Sequence, residues 1–291
     1  MTMTEPAAAA KKEYRVLFTS DTHYLSGGRL PQIHHWGGMI SCEDRAQQWV
    51  DAVLAEHRLQ PFDLILLLGD YSLDWWGDQG TWQQEGVSDA KIFFEKYLSQ
   101  LPKDVPVYIM AGNHECYTDA QWQALSGYGR QGAVTLGDNA FIMIDAYQSP
   151  ALGDKNTEVG YIGPDLAYTR QQLERYPNHN IYLCGHRLYE TAFADLIAEN
   201  HRIKAVMYGD THRSIAWQAT FGENTVAVAE SGQFSYPGIN EVLHGWNWGF
   251  RDLLITETGA LSRYIVAAHR YEENGEIRCV ERRITNQIAI G

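Results

Sequence analysis

Short, largely apolar runs constrain this chain more than any other feature of its sequence. They occupy residues 15–20, 64–68, 105–110, 141–144, 181–183 and 205–208. Runs this short, with no polar alternation, predict strands covered on both faces rather than a sheet with one wet side. Between them the period changes to that of a helix. Ala46, Trp49, Val50, Val53 and Leu54 share one face behind a Ser41-x-x-Asp44 capping box, and Phe94, Tyr97, Leu98 and Leu101 form a second stripe. Pro164 opens a predicted helix over 164–176, and Phe193, Leu196 and Ile197 predict another over about 190–199.

Strand and helix alternate as far as residue 212, which predicts an α/β layered domain. Beyond it the helical period stops, and 225–229, 252–257 and 262–271 read as strands that complete a second sheet. No repeat or low-complexity linker interrupts the pattern, so a single domain over 14–291 is expected behind a disordered lead-in at 1–13. In that lead-in Lys11 and Lys12 follow the alanine run, the reverse of a secretory signal.

A formal charge of −13 repels long polyanions, and no run of Lys and Arg offsets it, so binding to long nucleic acid is disfavoured. Cys42, Cys116, Cys184 and Cys279 stand far apart, which indicates neither a zinc ribbon nor a disulfide framework but the free thiols of a cytoplasmic protein. No window approaches the roughly 20 apolar residues of a membrane helix, so no membrane contact is expected.

The apolar runs end in metal-capable clusters: Asp21-Thr-His23, Gly69-Asp70, Gly112-Asn-His-Glu115, Gly185-His186 and Gly209-Asp-Thr-His212. Carboxylate, imidazole and amide oxygen are ligands that paired divalent ions accept, and strand C-termini present such groups to a crevice. Singly, each cluster reads as a turn or a structural histidine. The ordered set resembles the calcineurin-like metallophosphoesterases, which carry D-x-H, G-D, G-N-H-[DE], a later lone His and G-H-x-H in this order, and the likeness runs over roughly residues 14 to 232. It implies a four-layer αββα sandwich, two mixed β-sheets flanked by helices. It further implies that Asp21, His23 and His212 hold one metal, that Asn113, His186 and Asp210 hold the other, that Asp70 bridges them, and that His114 is the catalytic histidine.

The chain departs from that pattern in places. Asp210 stands at the first histidine of G-H-x-H, the pair after His186 lacks the proline often found there, and Asp74 lies four residues after Asp70 where the family has three. The segment from Gly69 to Gly77 lacks the Asp-Arg-Gly of protein serine/threonine phosphatases, which disfavours that activity.

Two cations about 3.5–4 Å apart lower the pKa of a shared water and neutralise phosphoryl oxygens. The expected function is hydrolysis of a small phosphodiester or phosphomonoester by a metal-bridging hydroxide, with His114 as general acid. Glu115 either orients His114 or braces a ligand. Cys116 reads as a small packed residue. A carboxylate at 210 is harder than imidazole and lowers the charge of the site, which favours Mn or Fe, with Zn or Mg as alternatives, and a diester monoanion over a monoester dianion. A fold kept for binding or scaffolding, and a nuclease, are the competing readings. His34, His35, Trp75 and Trp76, on two long loops, and Arg213 are candidate substrate contacts, with Arg29 and Arg130 as further phosphate grips. The loop aromatics either stack a base or sugar, or pack the loops or a homo-oligomer contact.

Overall fold

The computed structural model describes residues 13–27, 41–75, 86–147, 161–235, 247–273 and 275–291. The first half of the chain alternates: β1 (Tyr14–Thr19), α1 (Cys42–Leu59), β2 (Leu64–Leu67), α2 (Asp89–Lys96), β3 (Val107–Ile109), α3 (Asp119–Ser126), β4 (Gly132–Leu136) and β5 (Asn139–Met143). It continues with α4 (Leu166–Arg175), β6 (Asn180–Gly185), α5 (Ala194–Glu199) and β7 (Ile203–Tyr208). Strands then follow alone: β8 (Ala216–Phe221), β9 (Asn224–Glu230), β10 (Gly249–Thr256), β11 (Gly259–Val266), β12 (His269–Glu273), β13 (Glu276–Val280) and β14 (Arg283–Ile290).

Two six-stranded mixed sheets result, in the orders β14-β11-β10-β1-β2-β3 and β4-β5-β6-β7-β9-β8, beside a β12-β13 ribbon. The apolar runs are explained by alternation across the pleat. Val16, Phe18, Leu64, Leu66 and Leu68 pack between the sheets against Phe141, Met143, Tyr182, Cys184 and Met207. Their neighbours Leu17, Ile65 and Leu67 turn outward and join a cluster with Trp49, Val53, Phe93 and Trp122 of α1, α2 and α3. On the far side, Ala140, Ile142, Ile181 and Leu183 meet Leu173, Leu196 and Ile197 of α4 and α5. Three apolar layers therefore separate four layers of structure, the expected αββα sandwich.

The strands past residue 212 do not all complete the second sheet. β8 and β9 do, but β10 pairs antiparallel with β1 and carries β11 and β14 into the first sheet. Leu253 and Ile255 of β10 thereby join the layer between the sheets. The run expected over 262–271 is two strands, β11 ending at Val266 and β12 starting at His269. The second predicted helical stripe is shared by α2 and a 3-10 turn, Leu98–Gln100. No helix among the described residues is long and apolar enough to cross a membrane.

Candidate metal centre

β1, β2 and β3 run parallel in one sheet, and β6 and β7 run parallel in the other. The predicted clusters all follow the C-terminal ends of these strands and converge where the two sheet edges meet. Sharp turns at these ends hold the side chains inward. Asp21, His23, Asp70, Asp210 and His212 all have positive φ, and among the described residues Asn286 is the one other non-glycine that does. Such backbone is costly for residues with a Cβ and persists where the surroundings over-determine it. Gly112 is required for another reason: a Cβ there would lie 2.1 Å from Asp70 Oδ1.

At Asp21 the two carboxylate oxygens are divided between tasks. Oδ2 accepts from the Ser20 hydroxyl and from the Asp210 backbone N–H at 3.1 Å, while Oδ1 faces His212 Nε2 at 3.2 Å and His23 Nε2 at 3.7 Å. Asp70 is divided in the same way. Its Oδ1 accepts the His114 backbone N–H at 2.9 Å, and its Oδ2 lies 3.3 Å from His23 Nε2 and 3.2 Å from His186 Nε2. One oxygen thus faces imidazoles of both predicted ligand groups. His186 Nδ1 lies 2.8 Å from the Leu68 carbonyl, so it carries the hydrogen, and Nε2 points into the site. Asn113 Oδ1 is 2.9 Å from that Nε2, and Asp210 Oδ1 is 3.8 Å from it.

This donor set fits divalent cations. Three overlapping groups, Asp21-His23-His212, His23-Asp70-His114 and Asp21-Asp70-His186, each bring their ligand atoms within 4.8 Å of one another, all from buried residues. Lone pairs of Asp70, His186, Asn113 and Asp210 face each other, an arrangement that a cation relieves. The Asn113 amide turned over would instead donate to Asp70 Oδ2 at 3.3 Å and Asp210 Oδ1 at 3.3 Å, so either face of the amide can serve this cluster.

The charges sense one another. Burial pushes both Asp21 and Asp70 up, but the facing histidines prevail, His212 for Asp21 and His186 and His114 for Asp70, and hold both below the usual carboxylate range. Burial pushes His114 down to about 4, with Asp70 opposing and His23, His186 and His212 adding repulsion. Burial and then the charge of Asp70 push Glu115 up to about 7.

The family model described as calcineurin-like phosphoesterase matches residues 14–214. The chain belongs to this family. Among solved structures it is similar to a dimetal phosphatase from Danio rerio, with TM-score 0.61 and 11% identity over 94% of this chain and 99% of that one. It is also similar to GAP50, the anchor in the inner membrane complex of Plasmodium, with TM-score 0.52 and 14% identity over 94% and 90% of the two chains. No curated protein sequence matches the chain. The family is one of phosphoesterases, and the site combines buried carboxylates and imidazoles in groups that could hold metal ions.

Other candidates fall into place around this centre. Glu115 does not reach the His114 ring; its carboxylate accepts the backbone N–H of Asp70 (2.8 Å), Gly112 (2.9 Å) and Ser72 (3.0 Å), which favours the brace over the orienting role. Arg130 is committed to Asp145 at 2.6 Å and to the carbonyls of Glu115 and Tyr117, not to the site. Cys116 is buried, with its thiol 2.9 Å from the Asn113 carbonyl. Trp75 packs edge-on against Tyr117, and Arg213 pairs with Glu230 at 3.5 Å. His34, His35, Trp76, Arg29 and both long loops over most of their length lie outside the described residues.

Sequence reasoning missed three supporting residues. Arg45 of α1 donates to the carbonyls of Thr22 (2.9 Å) and His23 (2.7 Å), steadying the first ligand loop. Asp74 is no ligand: it accepts the N–H groups of Asp89 (2.7 Å) and Ala90 (3.1 Å) and caps α2. Arg187 lies 3.2 Å from Asp210 Oδ2. That pairing sets a positive charge beside the carboxylate at 210.

Proposed function

We propose that the chain hydrolyses a small phosphodiester or phosphomonoester at a dinuclear metal centre. In this reading Asp21, His23 and His212 would hold one divalent ion, Asn113, His186 and Asp210 would hold the other, and Asp70 would serve both. The observation that carries it is the placing of Asp70 Oδ2 between His23 Nε2 and His186 Nε2, because a single carboxylate oxygen then serves both groups. Bound there, divalent ions supply an activated water and neutralise the phosphoryl oxygens. Mn²⁺ or Fe is favoured, with Zn²⁺ or Mg²⁺ as alternatives, since carboxylate oxygens outnumber what a soft ion prefers.

His114 is the proton donor for the leaving oxygen. Its Nε2 lies 3.6 Å from Asp70 Oδ2, and burial leaves the ring neutral near pH 7 in the free protein. An incoming phosphate anion supplies the negative charge that lets it hold a proton at the moment of departure. Glu115 positions Asp70 and the Gly112 turn, and Arg213, beside His212, is the candidate contact for a phosphate oxygen at the rim.

A second reading, a fold kept for anchoring, is favoured by one observation: Asp210 is already paired with Arg187. Metal-stripped protein reloaded with Mn²⁺ separates the two. Two ions per chain, with hydrolysis of bis-p-nitrophenyl phosphate or p-nitrophenyl phosphate, are expected; two bound ions and no turnover of either ester would defeat the hydrolase reading, and binding of fewer than two would favour the anchor.

A further inference from the structure

Asp210 is one of the places where this chain departs from its family's pattern, and a cation lies beside its carboxylate. Arg187 Nε lies 3.2 Å from Asp210 Oδ2, while Asp210 Oδ1 is the oxygen turned toward His186 Nε2 at 3.8 Å. The guanidinium is itself held. Its Nε also donates to the Tyr189 hydroxyl at 2.9 Å, and its plane lies over the rings of Tyr161 and Tyr189 at 5.3 and 5.8 Å. Asp210 is fixed from the other side, by left-handed backbone and by its N–H on Asp21 Oδ2 at 3.1 Å.

We infer that Arg187 and Asp210 together replace one neutral ligand: the guanidinium beside Oδ2 cancels the carboxylate's charge, while Oδ1 is the oxygen turned toward His186 Nε2. This rests on the reading of Asp210 as a metal ligand proposed above, and it names Arg187 as its positioning residue. A histidine at 210 contributes no charge. Asp210 contributes −1 and Arg187 +1, so the pair contributes none either, and either residue changed alone unbalances the site by one charge beside two divalent ions. Both side chains lie at the rim, 14% and 19% exposed, so substitutions there leave the core intact.

The test is a double-substitution cycle read by calorimetric Mn²⁺ titration of the metal-stripped full chain. Asp210→His alone leaves Arg187 uncompensated, and the second ion should bind roughly tenfold more weakly or worse, the scale on which supporting groups act. Arg187→Gln added to Asp210→His should restore wild-type affinity to within about twofold, the usual tolerance of such cycles. Asp210→Asn, isosteric and tolerant of left-handed backbone, should follow the same pattern and stands in if the histidine variant does not fold. The inference is overturned if either change at 210 alters the second affinity by the same factor whether residue 187 is Arg or Gln. Asp210→Gly removes the side chain entirely; if it binds two ions as wild type does, Asp210 is no ligand, and the metal assignment fails together with the pair.

Discussion

Glu115 Oε2 accepts the backbone N–H of Asp70 at 2.8 Å, and Asp70 Oδ1 accepts the backbone N–H of His114 at 2.9 Å, so the two turns brace each other in both directions. Glutamine at 115 offers one acceptor oxygen, and its amide nitrogen would face backbone donors. Glu115→Gln should therefore lower metal affinity by roughly 10–100-fold, with turnover largely recovered at saturating Mn²⁺. Wild-type affinity in the variant would show that the brace is dispensable.

Asp70→Asn should cost both ions and abolish turnover. The amide oxygen can still accept the His114 N–H, so the turn is kept while the charge facing His23 and His186 is lost. Metal analysis after gel filtration checks this, and two retained ions would remove Asp70 from the bridging position.

His114→Ala should keep both ions and lose turnover by roughly 10²–10⁴-fold, the usual worth of a general acid. The loss should shrink for esters with acidic leaving groups, which depart without a proton. Should metal be lost with the ring, the His23-Asp70-His114 grouping is a ligand set and the donor must be sought elsewhere.

Asp74→Ala should cost about 1–2 kcal/mol of stability, the scale of a lost helix cap, with metal stoichiometry unchanged. Its carboxylate serves the first N–H groups of α2 rather than the centre. Urea unfolding followed beside metal analysis separates the two effects.

Stability should fall in acid through Glu56. Burial raises this carboxyl, but the guanidinium groups of Arg282 and Arg15 prevail and hold it below its ordinary value of 4.5. A depressed folded value contributes stability above the unfolded value, and that contribution is lost as pH falls from about 4.5 toward the folded value. In metal-stripped protein Glu56→Gln should melt below wild type at pH 7, and the gap should close on acidification through that window. A constant gap would mean that the pairing with Arg15 at 3.0 Å carries no charge-dependent stability.

The candidate residues that the structure brings together were legible because each is written beside a strand end that the apolar runs mark. What escaped was non-local or weak. Arg187 and Asp210 are paired across two loops, and nothing in their own segments signals the contact. Strand order escaped likewise: β10 is remote in sequence from β1, and pairing at that separation leaves no periodicity to read. Helix α3 buries Trp122 alone and so shows no stripe, although Thr118 and Gln121 form a full capping box that announces it. β4, β8, β13 and β14 lie at sheet edges or in the ribbon, where mixed exposure blurs the alternation.

The ligand candidates are divided between the sheets: Asp21, His23, Asp70 and Asn113 follow strands of one, His186, Asp210 and His212 follow strands of the other. Neither sheet carries a complete set. An ion held there is a cross-link between layers, closing chain loops much as a covalent staple would. Occupancy and inter-sheet packing are then two sides of one equilibrium. A cavity cut in the layer between the sheets, at Phe18 or Met207, should loosen the grip on metal, and the free metal concentration should set how firmly the two halves of the sandwich stay together.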